Sequence, residues 1–243
     1  MNGMIFAAGV GSRLAPLTNS RPKALVEVAG EPLIKRAVDN MYRAGMRHLV
    51  VNVHHFAQML KVYLRSHAHL WNDLTIEISD ESDMLLETGG GLVKALPLFP
   101  DDSPIIACNA DILSNVDLAD MYRHHIANNN DATLLMSSRS STRGLMFDID
   151  NRLMGWINKA KGEERIARDV TMCNTWAFNG FHIINQEVIK DMPQSGAFGI
   201  IDAYLNLAER FNIMAYTPYA NYYWYDIGTP EKLATAEAEM RLR

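Results

Sequence analysis

The chain has 243 residues, 48% of them hydrophobic and 21% charged, with a net charge of −5. This is the balance of a soluble protein with room for one well-packed α/β domain. The acidic excess argues against a general nucleic-acid binder, and no apolar run reaches the roughly 18 residues of a membrane span.

The N-terminus enters its first strand without a charged, signal-like region, so a cytoplasmic protein that meets neither membrane nor nucleic acid is expected. The apolar run Met4–Ala8 predicts a buried strand, and Gly9 and Gly11 follow it directly. Backbone N–H groups in such a loop converge on one point, which makes an anion site before any side chain is counted. Arg13 and Lys23 add two positive charges across a proline-bearing loop. Together these features describe a cradle for a polyphosphate. Two familiar glycine patterns do not fit. The dinucleotide fingerprint needs a third glycine where the chain has Leu14, and the P-loop needs a longer glycine spacing and a Lys-Ser/Thr pair.

Next come a helix near Leu33–Ala44, a strand at Leu49–Val53, a helix near Ala57–Ser66, a strand at Leu74–Ser79, a helix near Gly90–Leu96 and a strand at Pro104–Cys108. This alternation predicts an α/β fold, a Rossmann-like, mixed but mainly parallel sheet flanked by helices. Such sheets bind ligands at the carboxyl ends of their strands, where Gly9–Arg13 and Asn109–Asp111 fall. Ahead of the third helix stands Leu86-Glu87-Thr88-Gly89-Gly90-Gly91. Three consecutive glycines are entropically costly, so they imply close backbone approach to a flat or anionic group, or a helix-start loop needing positive φ. Glu81 and Glu87 bracket the loop and either accept N–H bonds from guanine or are solvated. Asp111 closes an apolar strand, and Asp226 ends the aromatic run Tyr222–Tyr225 in the same manner. Carboxylates from two distant segments can share one magnesium ion (Mg2+), leaving its other positions for phosphate oxygens and water.

After about residue 130 the rhythm changes. Strands at Ala132–Ser137, Gly144–Asp148, Arg152–Ile157 and Thr175–Ile184, joined by short turns, predict a β-meander that adds to the sheet and shapes a second wall. The charged segment Lys159–Asp169 reads as a loop, a mobile flap. A helix near Phe198–Arg210 follows, then a closing helix from Pro230 to about Met240 with Thr229 as its cap. The chain reads as one domain of two lobes, residues 1–130 and residues 131–243 with the C-terminal helix. Cys108 and Cys173 read as buried free thiols, and the fourteen Met residues as core filler. His54-His55 and His124-His125 lack a metal-binding spacing.

Gly9–Thr18 with Pro22-Lys23-Ala24-Leu25 fits the pattern G-x-G-[ST]-R-[LM]-x-P-L-T followed by P-K-x-L. Asn109-Ala110-Asp111 fits N-[AG]-D, and Trp224–Thr229 fits W-x-D-x-G-[TK]. On these motifs the chain resembles the sugar-phosphate nucleotidyltransferases over nearly its whole length. The resemblance implies an enzyme that joins an NTP to a sugar 1-phosphate and releases pyrophosphate. It implies that Arg13 clamps the β,γ-phosphates and Lys23 lies over the α-phosphate, both in catalytic roles. It implies nucleotide contacts at Ala7, Ala8, Gly9, Gly11, Ser12, Thr88, Gly89, Gly90 and Asn109, and a metal on Asp111 and Asp226.

The loop pattern L-x-T-G-G-[GA] resembles family members that transfer a uridylyl group to a muramic acid phosphate, and also guanylyltransferases for mannose or heptose phosphates. On the acceptor side the resemblance points to Gly144, Lys159, Asn179 and Trp224. Lys159 stands in Asn158-Lys159-Ala160 where many relatives carry Glu-Lys-Pro, so a sugar-phosphate contact and a solvated flap lysine both stay open. Trp224 shares a strand face with Asp226 and either borders the sugar or packs. A monomer or small homo-oligomer is expected. The rival reading is a non-catalytic sugar-nucleotide sensor of the same fold, against which stand the retained Arg13, Lys23, Asp111 and Asp226.

Overall fold

Met4 and Ile5 are adjacent and both fully buried in strand β1 (Asn2–Phe6). Neighbouring strand residues point to opposite faces, so β1 must be covered on both sides. The computed structural model, which describes residues 1–169 and 172–242, has this arrangement. The first half continues with β2 (Glu27–Val28), β3 (Glu31–Pro32), α1 (Leu33–Arg43), β4 (His48–Val53), α2 (Ala57–Ser66), β5 (Thr75–Asp80), α3 (Glu87–Ala95), β6 (Ile105–Asn109), β7 (Ile112–Ser114) and α4 (Leu118–Ala127). The second half has β8 (Ala132–Ser137), β9 (Arg143–Phe147), β10 (Leu153–Asn158), β11 (Glu163–Ile166), β12 (Asn174–Ile184), α5 (Gln186–Lys190), α6 (Ile200–Leu207), β13 (Ile213–Tyr216), β14 (Trp224–Asp226) and α7 (Pro230–Met240).

Strands β5, β4, β1 and β6 run parallel, in that order. The long strand β12 pairs antiparallel with β6 through Phe181–Ile184, and β8 and then β13 extend the sheet beyond it. The expected mixed, mainly parallel sheet is what forms. Ile5 belongs to the apolar layer under α1, α2 and α4, whereas Met4 belongs to the layer under α3, α5 and α6. Each fully buried aliphatic side chain in these layers contributes roughly 1.5–3 kcal/mol of transfer free energy. Beyond a register shift between Phe178 and His182, β12 still pairs with β8 at Ala177 and Phe178, and its N-terminal residues 174–176 pair with β9, starting the antiparallel meander β12-β9-β10-β11.

Three sequence expectations need correction. The segment Lys159–Asp169 is not wholly loop, because Glu163–Ile166 forms β11 on the meander's edge. All four β11 side chains are exposed, so no apolar periodicity marked this strand; backbone pairing with β10 makes it. Cys108 is buried, with its thiol pKa pushed well up by desolvation, but Cys173 is exposed. The third helix begins at Glu87 rather than near Gly90, so the glycines lie inside it. Sequence patterning also gave no account of α4, α5, β7 or β13, which are short or carry mixed polarity.

A third, smaller apolar cluster fixes the site. It joins Leu14 and Ile227, both fully buried, to Val26, Val28, Leu33, Leu113 and Ala236 of α7. Leu14 follows Arg13 and Ile227 follows Asp226. Burying these two apolar neighbours anchors the charged residues beside them. Thr229 caps α7 by accepting a hydrogen bond from Lys232 N–H, with Pro230 opening the helix as expected.

Candidate active site

The carboxyl ends of β1 and β6 open into a cavity of about 550 Å³. Ala7, Ala8, Gly9, Gly11 and Ser12 line one wall, and Arg13, Lys23, Asn109 and Asp111 also border it. Thr88 and Glu87 come from the start of α3. Gly11 has φ of 72°, and a Cβ there would lie 2.9 Å from Lys23 Cβ, so the turn requires glycine. At Gly9 a Cβ would meet nothing within 4 Å; that space is the cavity.

The loop is held from below by a residue that sequence reading missed. Asn52 Oδ1 accepts hydrogen bonds from the N–H groups of Ala7 (2.7 Å) and Ala8 (3.3 Å). Its amide donates to Glu81 Oε1 at 2.7 Å, and Glu81 Oε2 accepts from Leu86 N–H at 3.0 Å. Asn52 is 2% exposed and Glu81 0%, so neither guanine recognition nor solvation describes Glu81. It is a buried side chain that braces both the Ala7–Ala8 loop, through Asn52, and the loop ahead of α3. The signal was available: Asn52 interrupts the apolar strand Leu49-Val50-Val51-Asn52-Val53, and a buried amide must find partners.

Gly89 and Gly90 lie behind the cavity rather than on it. A Cβ on Gly89 would stand 2.3 Å from the Phe198 ring, and one on Gly90 would stand 2.4 Å from the Gly196 carbonyl oxygen. A Cβ on Gly91 would stand 2.7 Å from Glu81 Oε1. The three glycines therefore let α3 close onto the 196–198 loop and the Asn52–Glu81 pair. That contact brings Thr88 Oγ1 to the Ile200 N–H (2.9 Å), at the start of α6.

Asp111 and Asp226 are brought together by a small ladder. β14 pairs antiparallel with β7, placing Asp226 opposite Ile112, and Ile227 N–H donates to the Asp111 carbonyl at 2.9 Å. Lys23 Nζ forms a tight ion pair with Asp111, and Lys232 Nζ lies 2.6 Å from Asp226 Oδ2. Among the described residues no cluster of three or more His, Cys, Asp or Glu could hold a metal. Two hard carboxylates, one ending β14 and one in the turn just before its partner strand β7, do fit a magnesium ion that takes its remaining ligands from phosphate and water.

A second cavity of about 570 Å³ lies between the meander and α6, lined by Arg139, Arg143, Gly144, Trp156, Phe178 and Asp202 among others. Gly144 is thus on its wall, while Lys159 is exposed on a turn, its N–H bonded to the Thr142 carbonyl, and lines neither cavity. Asn179 is 1% exposed and serves as a scaffold rather than a wall. Its Oδ1 accepts from Arg139 Nε (2.8 Å), its amide donates to the Tyr222 hydroxyl (2.9 Å), and its carbonyl accepts from Trp224 Nε1 (2.8 Å). The Arg139 guanidinium stacks 4.2 Å above the Trp224 ring. Burial lowers the Arg139 pKa. Trp224 therefore packs and positions Arg139, a residue that no sequence motif marked.

Fold and site together define a transferase that handles nucleoside phosphates. The chain belongs to the nucleotidyl transferase family, whose pattern matches residues 2–242, and within it is an enzyme of the sugar-1-phosphate nucleotidyltransferase class. It is 33% identical over 242 residues to the N-acetylmuramate alpha-1-phosphate uridylyltransferase of Caulobacter vibrioides, covering 98% of this chain and 96% of that protein. It is 30% identical over 193 residues to the mannose-1-phosphate guanyltransferase of Hypocrea jecorina, covering 78% of this chain but 51% of that protein. The fold matches the crystal structure of a UDP-glucose pyrophosphorylase complexed with UDP-glucose, with a TM-score of 0.79 at 18% identity over 100% of this chain and 99% of the other. Among the described residues no helix is long and apolar enough to cross a membrane.

Proposed function

We propose that this enzyme joins UTP to N-acetylmuramate 1-phosphate, giving the UDP-sugar and pyrophosphate. The observation that carries the reading is near end-to-end similarity to a uridylyltransferase of that acceptor, 98% of one chain against 96% of the other. Guanyltransferases match over nearly all of this chain too, but over no more than about 63% of their own length in the longest of these matches.

The nucleotide phosphates occupy the Gly9–Arg13 wall, with the backbone N–H groups of that loop and the Arg13 guanidinium on the β,γ-phosphates. Lys23 turns from Asp111 toward the α-phosphate when substrate enters. A phosphate oxygen of the sugar 1-phosphate attacks the α-phosphorus in line. It is already an anion, so no general base is needed. The obstacle is charge repulsion between two polyanions, and preorganised cations and amides offset it. Asp111 and Asp226 would hold a magnesium ion, which supplies further neutralisation of the phosphate oxygens. The acceptor lies in the second cavity, along Gly144, with Arg139 at the phosphate end.

The test is pyrophosphate release over a grid of UTP, GTP, CTP, ATP and dTTP against N-acetylmuramate, mannose, glucose and heptose 1-phosphates. One strong response at UTP with N-acetylmuramate 1-phosphate is the expected result. A response at GTP with mannose or heptose phosphate would move the enzyme to the guanylyltransferases. Nucleotide binding without any product would make the protein a sensor.

A further inference from the structure

The second cavity is lined by three guanidinium groups, Arg139, Arg143 and Arg165, and by two carboxylates, Glu163 and Asp202. Of its carboxylates, Asp202 is ion-paired with Arg165, and Glu163 faces Lys161 Nζ at 3.7 Å and accepts from Asn158 Nδ2 at 3.3 Å. Both are therefore balanced by cations. Arg139 and Arg143 have no carboxylate partner among the described residues. Arg139 is held by Asn179 and the Phe178 carbonyl against Trp224, two positions from Asp226, which directs it to the reacting phosphate. Arg143 opens β9 beside Gly144 and pairs through its backbone with Asn158 of β10, its N–H also donating to Ser141 Oγ, while its guanidinium has no hydrogen bond or ion pair among the described residues. A guanidinium on a cavity wall without an internal partner is a ready site for a bidentate oxyanion.

We propose that the acceptor sugar carries a carboxylate in addition to its 1-phosphate, and that the Arg143 guanidinium receives it. This rests on the reading of the enzyme as a sugar 1-phosphate nucleotidyltransferase, and it makes Arg143 the residue that separates an acidic sugar from a neutral one. N-Acetylmuramate has such a group in its lactyl ether; N-acetylglucosamine, the same ring without it, does not.

The experiment compares kcat/KM, with UTP, for three acceptors: N-acetylmuramate 1-phosphate, its lactyl carboxamide and N-acetylglucosamine 1-phosphate. The wild-type protein should prefer the acid over the near-isosteric amide by about 10- to 100-fold, the scale of one charge-assisted pair. In Arg143→Gln that ratio should fall toward one, and Arg143→Lys should recover part of it. A wild-type ratio near one overturns the proposal without touching the reading of the enzyme, and needs no variant to fold. An unchanged ratio in folded Arg143→Gln also overturns it. Should only a neutral sugar react, in the wider grid of nucleotides, both the acceptor assignment and this proposal fall.

Discussion

Lys23 Nζ is ion-paired with Asp111, although 88 residues separate them, and their side chains are only 12% and 22% exposed. The cation expected over the α-phosphate and the carboxylate expected at the metal thus neutralise each other across the cavity mouth. Each is poised to exchange that partner for substrate or metal. Lys23→Ala and Asp111→Asn should each reduce kcat by about 10²-fold or more, the scale of losing one preorganised electrostatic group. Steady-state pyrophosphate release, with circular dichroism to verify folding, measures this. Wild-type turnover in a folded Lys23→Ala protein would remove the lysine from the mechanism.

Gly9 and Gly89 are expected to differ in kind. A Cβ at Gly9 meets nothing, so Gly9→Ala should change unfolding free energy by no more than about 0.5 kcal/mol while intruding on the nucleotide and raising KM for the NTP. At Gly89 the Cβ would collide with Phe198, so Gly89→Ala should destabilise by about 1–3 kcal/mol. Urea unfolding and nucleotide kinetics, run on both variants, separate the roles. Equal losses of stability would contradict the assignment.

Asn52 serves two loops at once. Asn52→Ala leaves the Ala7 and Ala8 N–H groups and the buried Glu81 carboxylate without their partner. The expected loss is about 1–3 kcal/mol of stability together with weaker nucleotide binding, because the phosphate loop loses its support. Asn52→Asp should be no rescue, since it sets two carboxylates against each other. A variant with unchanged nucleotide affinity by calorimetry would show that the loop holds its shape alone.

His182 is fully buried with Nδ1 2.5 Å from the Tyr204 hydroxyl, and desolvation pushes its pKa down to about 3. The His125 pKa is lowered for the same reason. The unfolded chain binds protons at these sites below its ordinary histidine pKa near 6.5, whereas in the native chain both bind them only at lower pH, His182 near pH 3. Stability should therefore fall as pH drops from about 6.5, by up to roughly 1.4 kcal/mol per pH unit for each such group. The histidine contribution is isolated between about pH 6.5 and 5, before most carboxylates titrate. His182→Phe should flatten the curve of unfolding free energy against pH in that window. An unaltered slope would mean that His182 accepts a proton in the native state.

Much of this protein was legible in its sequence because the informative features are local. Alternating apolar runs and amphipathic helices gave the sheet and its flanking layers, down to the ends of α2, β8 and α7. The glycine loop and its charged followers marked one wall of the first cavity, since a turn with close backbone approach needs glycine wherever it occurs. What chain order could not disclose was which distant residues meet. Asn52 and Glu81 brace the loops only because β4 and β5 lie side by side. The glycine run faces Phe198 and Gly196 rather than a base, because α6 docks there. Arg139 and Arg143 gain meaning from the meander that folds back over α6, because only tertiary packing sets both on one cavity wall without an ion-pair partner among the described residues.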